Sequence, residues 1–322
     1  MVSSFFVAGH ALAQSNYSLH SPDQRIEVRI RLTDRIRYDI LLNGIRLLQD
    51  STLSVKTSST TLGFNPRVKD AKQRSVDQWI EPVIRQKFAK LRENYNEERL
   101  EMVGNYAVVF RAYNEGVGYR LETTLPQPQE RIYGEEVSLN FAGDYHVYYP
   151  KEDSFFSHNE REFLYLPLKD IAPNSIASLP AVVDTKDGAK IAIGESDVDD
   201  YPGLWLRGNS NNSLSGVFPP YPLKEQLNRD RDLKITQTAD YIAVTKGTRT
   251  FPWRILGIAE RDSDLITNQM VYLLAKSSQV QDTSWIKPGK VAWEWYNTNN
   301  IYGVNFKSGI NTQTYKYYID FA

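Results

Sequence analysis

Residues 26–44, IEVRIRLTDRIRYDILLNG, give the clearest indication of the fold class of this chain. In its first seven positions apolar side chains alternate with charged ones, which is the period of a half-buried β-strand. A turn at residues 33–34 leads into a second apolar alternation from Ile36. The dipeptide Asn43-Gly44 then signals a hairpin, because both residue types tolerate positive φ. The stretch therefore predicts consecutive antiparallel strands.

The same character continues along most of the chain, with strand-like runs at residues 102–112, 117–121, 137–141 and 235–244. Residues 87–100 are charged and could form a helix by propensity, although Asn94, Tyr95 and Asn96 disfavour one. Many short strands separated by Gly, Asn and Pro turns indicate a mainly β protein. We expect a large antiparallel β-sandwich over residues 14–276.

The composition excludes several classes of function. The formal net charge of −1, from 38 basic and 39 acidic residues, argues against nucleic acid as a partner. The chain has no cysteine, so thiol catalysis, disulfides and Cys-ligated metals are excluded. Its four histidines are scattered without metal-ligand spacing. The 39 aromatic residues suit stacking against sugar rings, but they are also ordinary β-sheet residues.

The N-terminus, MVSSFFVAGHALAQ, resembles a secretory signal peptide. It has a short apolar run and a small-x-small pattern, Ala11-Leu12-Ala13, before Gln14, although a basic region is missing. We interpret residues 1–13 as the remnant of a signal peptide, which predicts a periplasmic or secreted bacterial protein. A frayed cytosolic terminus is the alternative. No segment approaches the roughly 20 apolar residues of a membrane span.

After residue 276 the character of the sequence changes. A polar connection leads to VAWEWYNT, residues 291–298, which reads as a strand, and then to NTQTYKYYIDFA, residues 311–322, which reads as a helix. Thr312 is a plausible N-cap, and the apolar residues 315, 318, 319 and 322 share one helix face. We interpret residues 277–322 as a linker and the first βα unit of a truncated (β/α)8 barrel.

Four carboxylates crowd into GESDVDDYPG, residues 194–203. They follow one apolar run and precede another, so they lie at the end of a strand. The spacing does not fit an EF-hand, whose sixth position is Gly and whose twelfth is Glu. Two readings stay open: a solvated acidic turn, or one carboxylate that completes a calcium site whose other ligands lie elsewhere in the chain.

Two further features bear on ligand binding. The long loop RGNSNNSLSGVFPPYP, residues 207–222, carries Phe218 and Tyr221, and such loops bind ligands more often than sheet faces do. A flexible surface excursion is the simpler interpretation. Trp293 and Trp295 would face the same side of a strand, either the core or the mouth of a barrel. The chain contains no G-x-S-x-G, P-loop or G-x-G-x-x-G motif.

Three stretches together resemble the N-terminal domain of glycoside hydrolase family 97: VVFRAYNEGVGYRL at residues 108–121, IAIGESDVDDYPGLWL at 191–206 and FPWRILGIAE at 251–260. The tail from residue 287 looks like the start of that family's catalytic barrel. The resemblance implies a β-super-sandwich followed by a (β/α)8 barrel. It also implies an exo-acting α-glucosidase or α-galactosidase that acts on oligosaccharides.

The resemblance implies specific site residues as well. In the family an active-site calcium ion is held by barrel glutamates and by one glutamate of the sandwich, whose match here is Glu195. Asp197, Asp199 and Asp200 would then shape the loop rather than bind the metal. The residues expected to lie near the sugar are Ser215, Gly216, Val217, Phe218, Trp293, Glu294 and Asn297.

The catalytic acid and the base or nucleophile of the family lie on later barrel strands, beyond Ala322. Because glycoside hydrolysis needs two suitably spaced carboxyl groups, we expect no hydrolysis from this chain unaided. The partner it requires is the catalytic barrel domain of the same enzyme. The alternatives are a stand-alone carbohydrate-binding or adhesin-like sandwich, and a sandwich that serves only as a scaffold.

Overall fold

The computed structural model describes residues 16–82, 85, 87–157, 159–186, 188–228, 233–287, 289, 291, 293 and 299–322. Contacts within the chain divide it into two compact units, Met1–Lys276 and Ser277–Ala322. Among the described residues, no helix is both long enough and apolar enough to cross a membrane.

The described part of the first unit consists mainly of β-strands. These are β1 Asn16–His20, β2 Ile26–Leu32, β3 Ile36–Leu42, β4 Ile45–Thr57, β5 Thr61–Leu62, β6 Val68–Ile80, β7 Leu91–Met102, β8 Tyr106–Tyr113, β9 Gly116–Thr124, β10 Glu130–Asn140, β11 His146–Glu152, β12 Phe163–Pro167, β13 Ile176–Ala177, β14 Ala181–Asp184, β15 Lys190–Ser196, β16 Trp205–Gly208, β17 Ser213–Val217, β18 Pro222–Leu227, β19 Leu233–Thr238, β20 Ala243–Thr245, β21 Thr248–Thr250 and β22 Trp253–Ala259. The helical segments are a 3-10 turn at Leu168–Asp170, α1 Asp262–Thr267, α2 Met270–Leu274 and, in the second unit, α3 Thr312–Phe321.

The first sheet has the order β1-β2-β3-β4-β10, with β5 beside β4 and β20 beside β10. Its β2–β3 hairpin pairs Ile26 with Leu42, which confirms the strands predicted from residues 26–44. Asn43 and Gly44 have φ values of 50° and 80°. The two-residue connection into β4 therefore adopts the left-handed conformation that an Asn-Gly pair favours.

The second sheet has the order β6-β7-β8-β9-β22-β15-β14-β11-β12, with β21 also beside β9. The short strands β13, β16 and β17 connect β11 of this sheet to β10 of the first. Strands β18 and β19 form a separate hairpin. All of these pairings are antiparallel, and the predicted large antiparallel sandwich is confirmed.

The core lies between the two sheets. Tyr38 of the first sheet packs against Phe110 and Tyr119 of the second, with ring centroids 5.6 and 5.4 Å apart. A second apolar cluster lies on the outer face of the second sheet, where Trp253 and Ile255 pack in one group with residues of α2. Strand β22 is therefore buried on both faces, and every one of its residues is buried.

Residues 91–100 belong to β7, as the residues that disfavour a helix there suggested, because pairing with β6 and β8 overrides local helix propensity. Two local predictions need correction. The run 102–112 is not one strand, since it contains the turn between β7 and β8, where Gly104 and Asn105 both have positive φ. The run 235–244 is divided between β19 and β20.

In the second unit the predicted C-terminal helix is confirmed as α3. Its N-cap is Asn311, whose side chain accepts a hydrogen bond from the Thr314 N–H at 3.0 Å, so the predicted N-cap Thr312 is wrong by one residue. Asparagine is the stronger N-cap of the two. Most of the strand predicted at residues 291–298 lies outside the described residues, and the start of a barrel stays a prediction.

Candidate functional site

Glu195 stands near the end of β15, on the face of that strand that looks into the sandwich. Because strand residues alternate in direction, it shares this face with the buried Ile191 and Ile193. Its partner across the β15–β22 ladder is Arg254. Glu135 of β10 approaches the same guanidinium from the first sheet. We call Glu135, Arg254 and Glu195 the Arg254 cluster.

The guanidinium of Arg254 holds its two carboxylates unequally. Its Nε and Nη2 donate to the two oxygens of Glu135, at 2.7 and 2.6 Å, and its Nη1 donates to Glu195 Oε2 at 2.6 Å. The side chains of Arg254 and Glu135 are each 3% exposed, whereas that of Glu195 is 17% exposed. Two carboxylates therefore share one cation, and the excess negative charge lies on the side that solvent can reach.

The backbone that follows β15 also binds Glu195. The Leu204 N–H lies 3.0 Å from each of its carboxylate oxygens. A Cβ atom at Gly203 would lie 3.3 Å from Glu195 Oε1, so glycine lets the backbone run close to the carboxylate. Burial raises the pKa of Glu195 above its usual value, and the charge of Arg254 and the Leu204 N–H only partly offset it.

Aromatic side chains enclose the Arg254 cluster. The guanidinium carbon of Arg254 lies 5.2 Å from the ring centroid of Phe218 and 6.0 Å from that of Tyr201. Tyr201 in turn packs edge-on against Phe218 and Phe251. Burial, and then the negative charge of Glu135, raises the pKa of the Tyr201 hydroxyl well above its usual value. The cation is thus shielded from water on its aromatic side.

The remaining acids of the loop also have partners. Asp197 Oδ1 accepts from the backbone N–H of Lys276 at 2.9 Å, and Asp199 pairs with the Lys276 ammonium group. Asp200 pairs with Arg249 at 3.0 Å. Asp197 and Asp200 also have positive φ, of 59° and 46°. These three residues shape the loop and tie it to β21 and the segment after α2.

The predicted sugar-contacting segment lies on β17 and just beyond it. Ser215 exchanges hydrogen bonds with the Asn209 amide, whose nitrogen lies 2.9 Å from its hydroxyl. A Cβ at Gly216 would lie 2.8 Å from Val137 and 2.9 Å from Leu204, so this glycine serves close packing. Val217 is partly exposed. Phe218 is only 8% exposed, and its ring packs beside the Arg254 cluster.

The other predicted contacts belong to the second unit. Trp293 is described there, and it is 57% exposed. Glu294 and Asn297 lie outside the described residues. Their predicted proximity to a sugar therefore stays a prediction.

The Glu195 carboxylate offers the kind of oxygen ligand that a hard cation prefers, but it is only one ligand. This carboxylate is an oxygen donor in a cluster with one excess negative charge, which suits calcium. Calcium takes 6–8 oxygen ligands, however. Within the described ranges, no group of three or more acidic, histidine or cysteine side chains could hold a metal. Calcium binding by Glu195 therefore stays a prediction.

Arg254 and Glu135 are the functional candidates that sequence reasoning missed. A signal for Arg254 existed, because FPWRILGIA, residues 251–259, places one charged residue inside a run that is otherwise apolar. A buried arginine requires a partner. For Glu135 the alternation with Val137 and Leu139 indicated an inward-facing acid on β10.

Comparison with known proteins supports the same reading of the fold. The family model described as "Glycosyl-hydrolase 97 N-terminal" matches residues 19–277. A "Retaining alpha-galactosidase" of Bacteroides thetaiotaomicron is 36% identical over 96% of this chain and 48% of its own length. A "Probable retaining alpha-galactosidase" of Streptomyces bingchenggensis is 24% identical over 90% of this chain and 43% of its own.

Solved structures show the same fold. A glycoside hydrolase family 97 enzyme from Pseudoalteromonas sp. strain K8, in complex with acarbose, aligns with a TM-score of 0.78 at 20% identity. The alignment covers 95% of this chain and 45% of that one. The chain spans about half the length of the curated relatives it matches. On the match over residues 19–277, the chain belongs to glycoside hydrolase family 97 and carries the N-terminal domain of that family.

Proposed function

We propose that this chain is the N-terminal part of an exo-acting, calcium-dependent α-glycosidase that hydrolyses oligosaccharides. An α-galactosidase that retains anomeric configuration is favoured over an α-glucosidase, because a relative at 36% identity bears that name. The observation that carries the proposal is the Glu195 carboxylate. It stands at a strand end, partly exposed, in a cluster with one excess negative charge.

In this proposal Glu195 supplies one ligand to a calcium ion, and the other ligands come from the catalytic barrel domain. A bound calcium ion supplies positive charge that polarises the glycosidic leaving group. Arg254 and the Leu204 N–H hold the Glu195 carboxylate in place. Segment 215–218, with Phe218 against Arg254, forms the neighbouring wall of the substrate site. The acid and the nucleophile of a retaining enzyme stand about 5–5.5 Å apart, and the barrel domain would supply both.

The proposal makes this chain inactive by itself, with residues 1–13 serving to export the protein to the periplasm or the medium. The first test is the mass of the native gene product in its source organism. We expect a protein about twice the 37.0 kDa of this chain, whose mature N-terminus is Gln14. A native product of 37.0 kDa would instead favour a stand-alone carbohydrate-binding module.

The second test is enzymatic. The complete protein should hydrolyse p-nitrophenyl α-galactoside faster than the α-glucoside, and EDTA should abolish this activity until calcium is restored. The 322-residue chain, assayed alongside, should hydrolyse neither compound. Full activity of the complete protein after EDTA treatment would remove the proposed role of Glu195.

A further inference from the structure

We infer that Glu135 and Arg254 are positioning residues for Glu195: Arg254 orients the Glu195 carboxylate, and Glu135 compensates the charge of Arg254 so that the guanidinium does not repel a cation at Glu195. The inference rests on the proposed function, because it concerns how Glu195 is prepared to act as a ligand. The evidence for it is the unequal geometry of the Arg254 cluster.

The first step is how the guanidinium distributes its hydrogen bonds. Arg254 makes a fork with Glu135 through Nε and Nη2, and it gives Glu195 a single bond through Nη1. A paired fork is the strongest arrangement that arginine and carboxylate form. The charge of Arg254 is thus compensated mainly by Glu135, and the single bond to Glu195 fixes a direction.

The second step is burial. The neutral Glu135–Arg254 pair is the enclosed part of the cluster, and the rings of Phe218 and Tyr201 lie against the guanidinium. Glu195 is the member that solvent reaches. In a poorly hydrated environment charges are weakly screened. Without the negative charge of Glu135, Arg254 and an approaching cation would share the single negative charge of Glu195, and the two positive charges would repel each other.

The third step is restraint of the Glu195 side chain. Its carboxylate accepts from Arg254 on one side and from the Leu204 N–H on another, and Gly203 keeps the backbone close to Oε1. Groups that hold a metal ligand in place typically contribute 10–100-fold to metal affinity. Glu135 accepts both of its hydrogen bonds in the cluster from Arg254, so we expect its effect on the orientation of Glu195 to pass through Arg254.

The experiment is a double-mutant cycle on the complete protein, with calcium affinity measured by titration calorimetry. We expect Glu135→Gln to weaken calcium binding at least tenfold in the wild-type background and less than twofold in the Glu195→Gln background. Such non-additivity shows that Glu135 acts through Glu195. Equal weakening in both backgrounds, or an effect below twofold in the wild type, would overturn the inference.

The matched control is Glu97→Gln, which removes a buried carboxylate that accepts from Arg74 and Arg111 elsewhere in the same sheet. It should leave calcium affinity unchanged. A tenfold loss of calcium affinity in Glu97→Gln would mean that the effect of Glu135→Gln reflects general destabilisation. If Glu135→Gln yields no folded protein, Arg254→Lys replaces it in the cycle, because one ammonium group cannot hold both carboxylates. An unchanged calcium affinity in Glu195→Gln alone would refute the proposed function rather than this inference.

Discussion

Two ion-pair clusters of the second sheet, one on each face, combine glutamate and arginine side chains in opposite ratios. On the outer face Glu97 accepts from two arginines, Arg74 and Arg111, at 2.7 Å each. On the inner face Arg254 donates to two glutamates. The outer cluster therefore has an excess positive charge, and the inner one has an excess negative charge.

The pKa values of Glu97 and Glu195 are shifted in opposite directions. Burial by itself would raise the pKa of Glu97, but hydrogen bonds from Arg74 and Arg111 lower it below its usual value. The pKa of Glu195 is raised instead, because the effect of burial exceeds the opposing effects of Arg254 and the Leu204 N–H. Ionisation of Glu97 therefore stabilises the folded state, whereas ionisation of Glu195 is less favourable in the folded state than in the unfolded state. This contrast agrees with the inference that the inner cluster positions Glu195 as a ligand.

The largest effect should come from removing the shared cation. Arg254→Met leaves Glu135 and Glu195 together in a poorly solvated site with no cation, and breaking a buried pair costs about 3–5 kcal/mol. We expect a loss near the upper end of that range in urea unfolding of this chain. Arg111→Met is the matched control and should cost less, because Glu97 keeps Arg74. A loss below about 1 kcal/mol for Arg254→Met would contradict the proposed difference between the two clusters.

The second prediction is that a substitution at Glu195 lowers activity and leaves stability nearly unchanged. Glu195→Ala in the complete protein should lower kcat/KM at least about 100-fold, equivalent to about 2.7 kcal/mol of transition-state stabilisation. The free energy of unfolding should change by less than about 1 kcal/mol, because Arg254 keeps its paired bonds to Glu135. Steady-state kinetics and urea unfolding check both halves. An unchanged kcat/KM would show that Glu195 has no role in the active site.

Glu97→Gln should show the reverse pattern. It weakens two charge-assisted hydrogen bonds, so the free energy of unfolding should fall by about 2 kcal/mol. Activity of the complete protein should stay within twofold of wild type. Thermal unfolding and kinetics measured on the same preparation test this, and a large loss of activity at unchanged stability would reverse the roles of the two clusters.

The smallest effect concerns pH. The pKa of Glu97 is lowered from its ordinary value of 4.5 by Arg74 of β6 and Arg111 of β8. A carboxyl whose pKa is lowered in the folded state contributes stability that is present above its ordinary pKa. That contribution is lost as the pH falls through the lower pKa of the folded state. The stability difference between wild type and Glu97→Gln should therefore shrink on acidification below about pH 4.5. Urea unfolding at several pH values measures it, and a constant difference would contradict the assignment.

The two units differ in a way that also bears on the proposal. In the sandwich the large apolar side chains of the core are buried between sheets. In Ser277–Ala322, Tyr302 and Ile310 are 88% and 85% exposed, and Ile319 and Phe321 of α3 are also exposed. Among the described residues of the second unit, large apolar side chains are thus exposed that would be buried in the core of the first. The exposed side chains agree with the proposal that a further domain packs against this unit.

Part of this protein was readable from sequence because it depends on local properties. The alternation in residues 26–32 and the Asn43-Gly44 turn specify a hairpin without reference to the rest of the chain. The C-terminal helix was readable for the same reason, apart from the choice between Asn311 and Thr312 as its N-cap. Residues 91–100 were less clear, since their strand conformation depends on pairing with β6 and β8.

A mainly β chain, a carboxylate at a strand end and a resemblance carried by three motifs could all be derived from the residues alone. The groups that surround the carboxylate could not be derived in this way, because they depend on tertiary contacts. Arg254 is separated from Glu195 by 59 positions and from Glu135 by 119. The β15–β22 ladder and the packing of β10 from the opposite sheet bring them within hydrogen-bond distance. Charge balance in a buried site is a property of such long-range contacts, because it depends on which ions share the same poorly hydrated volume.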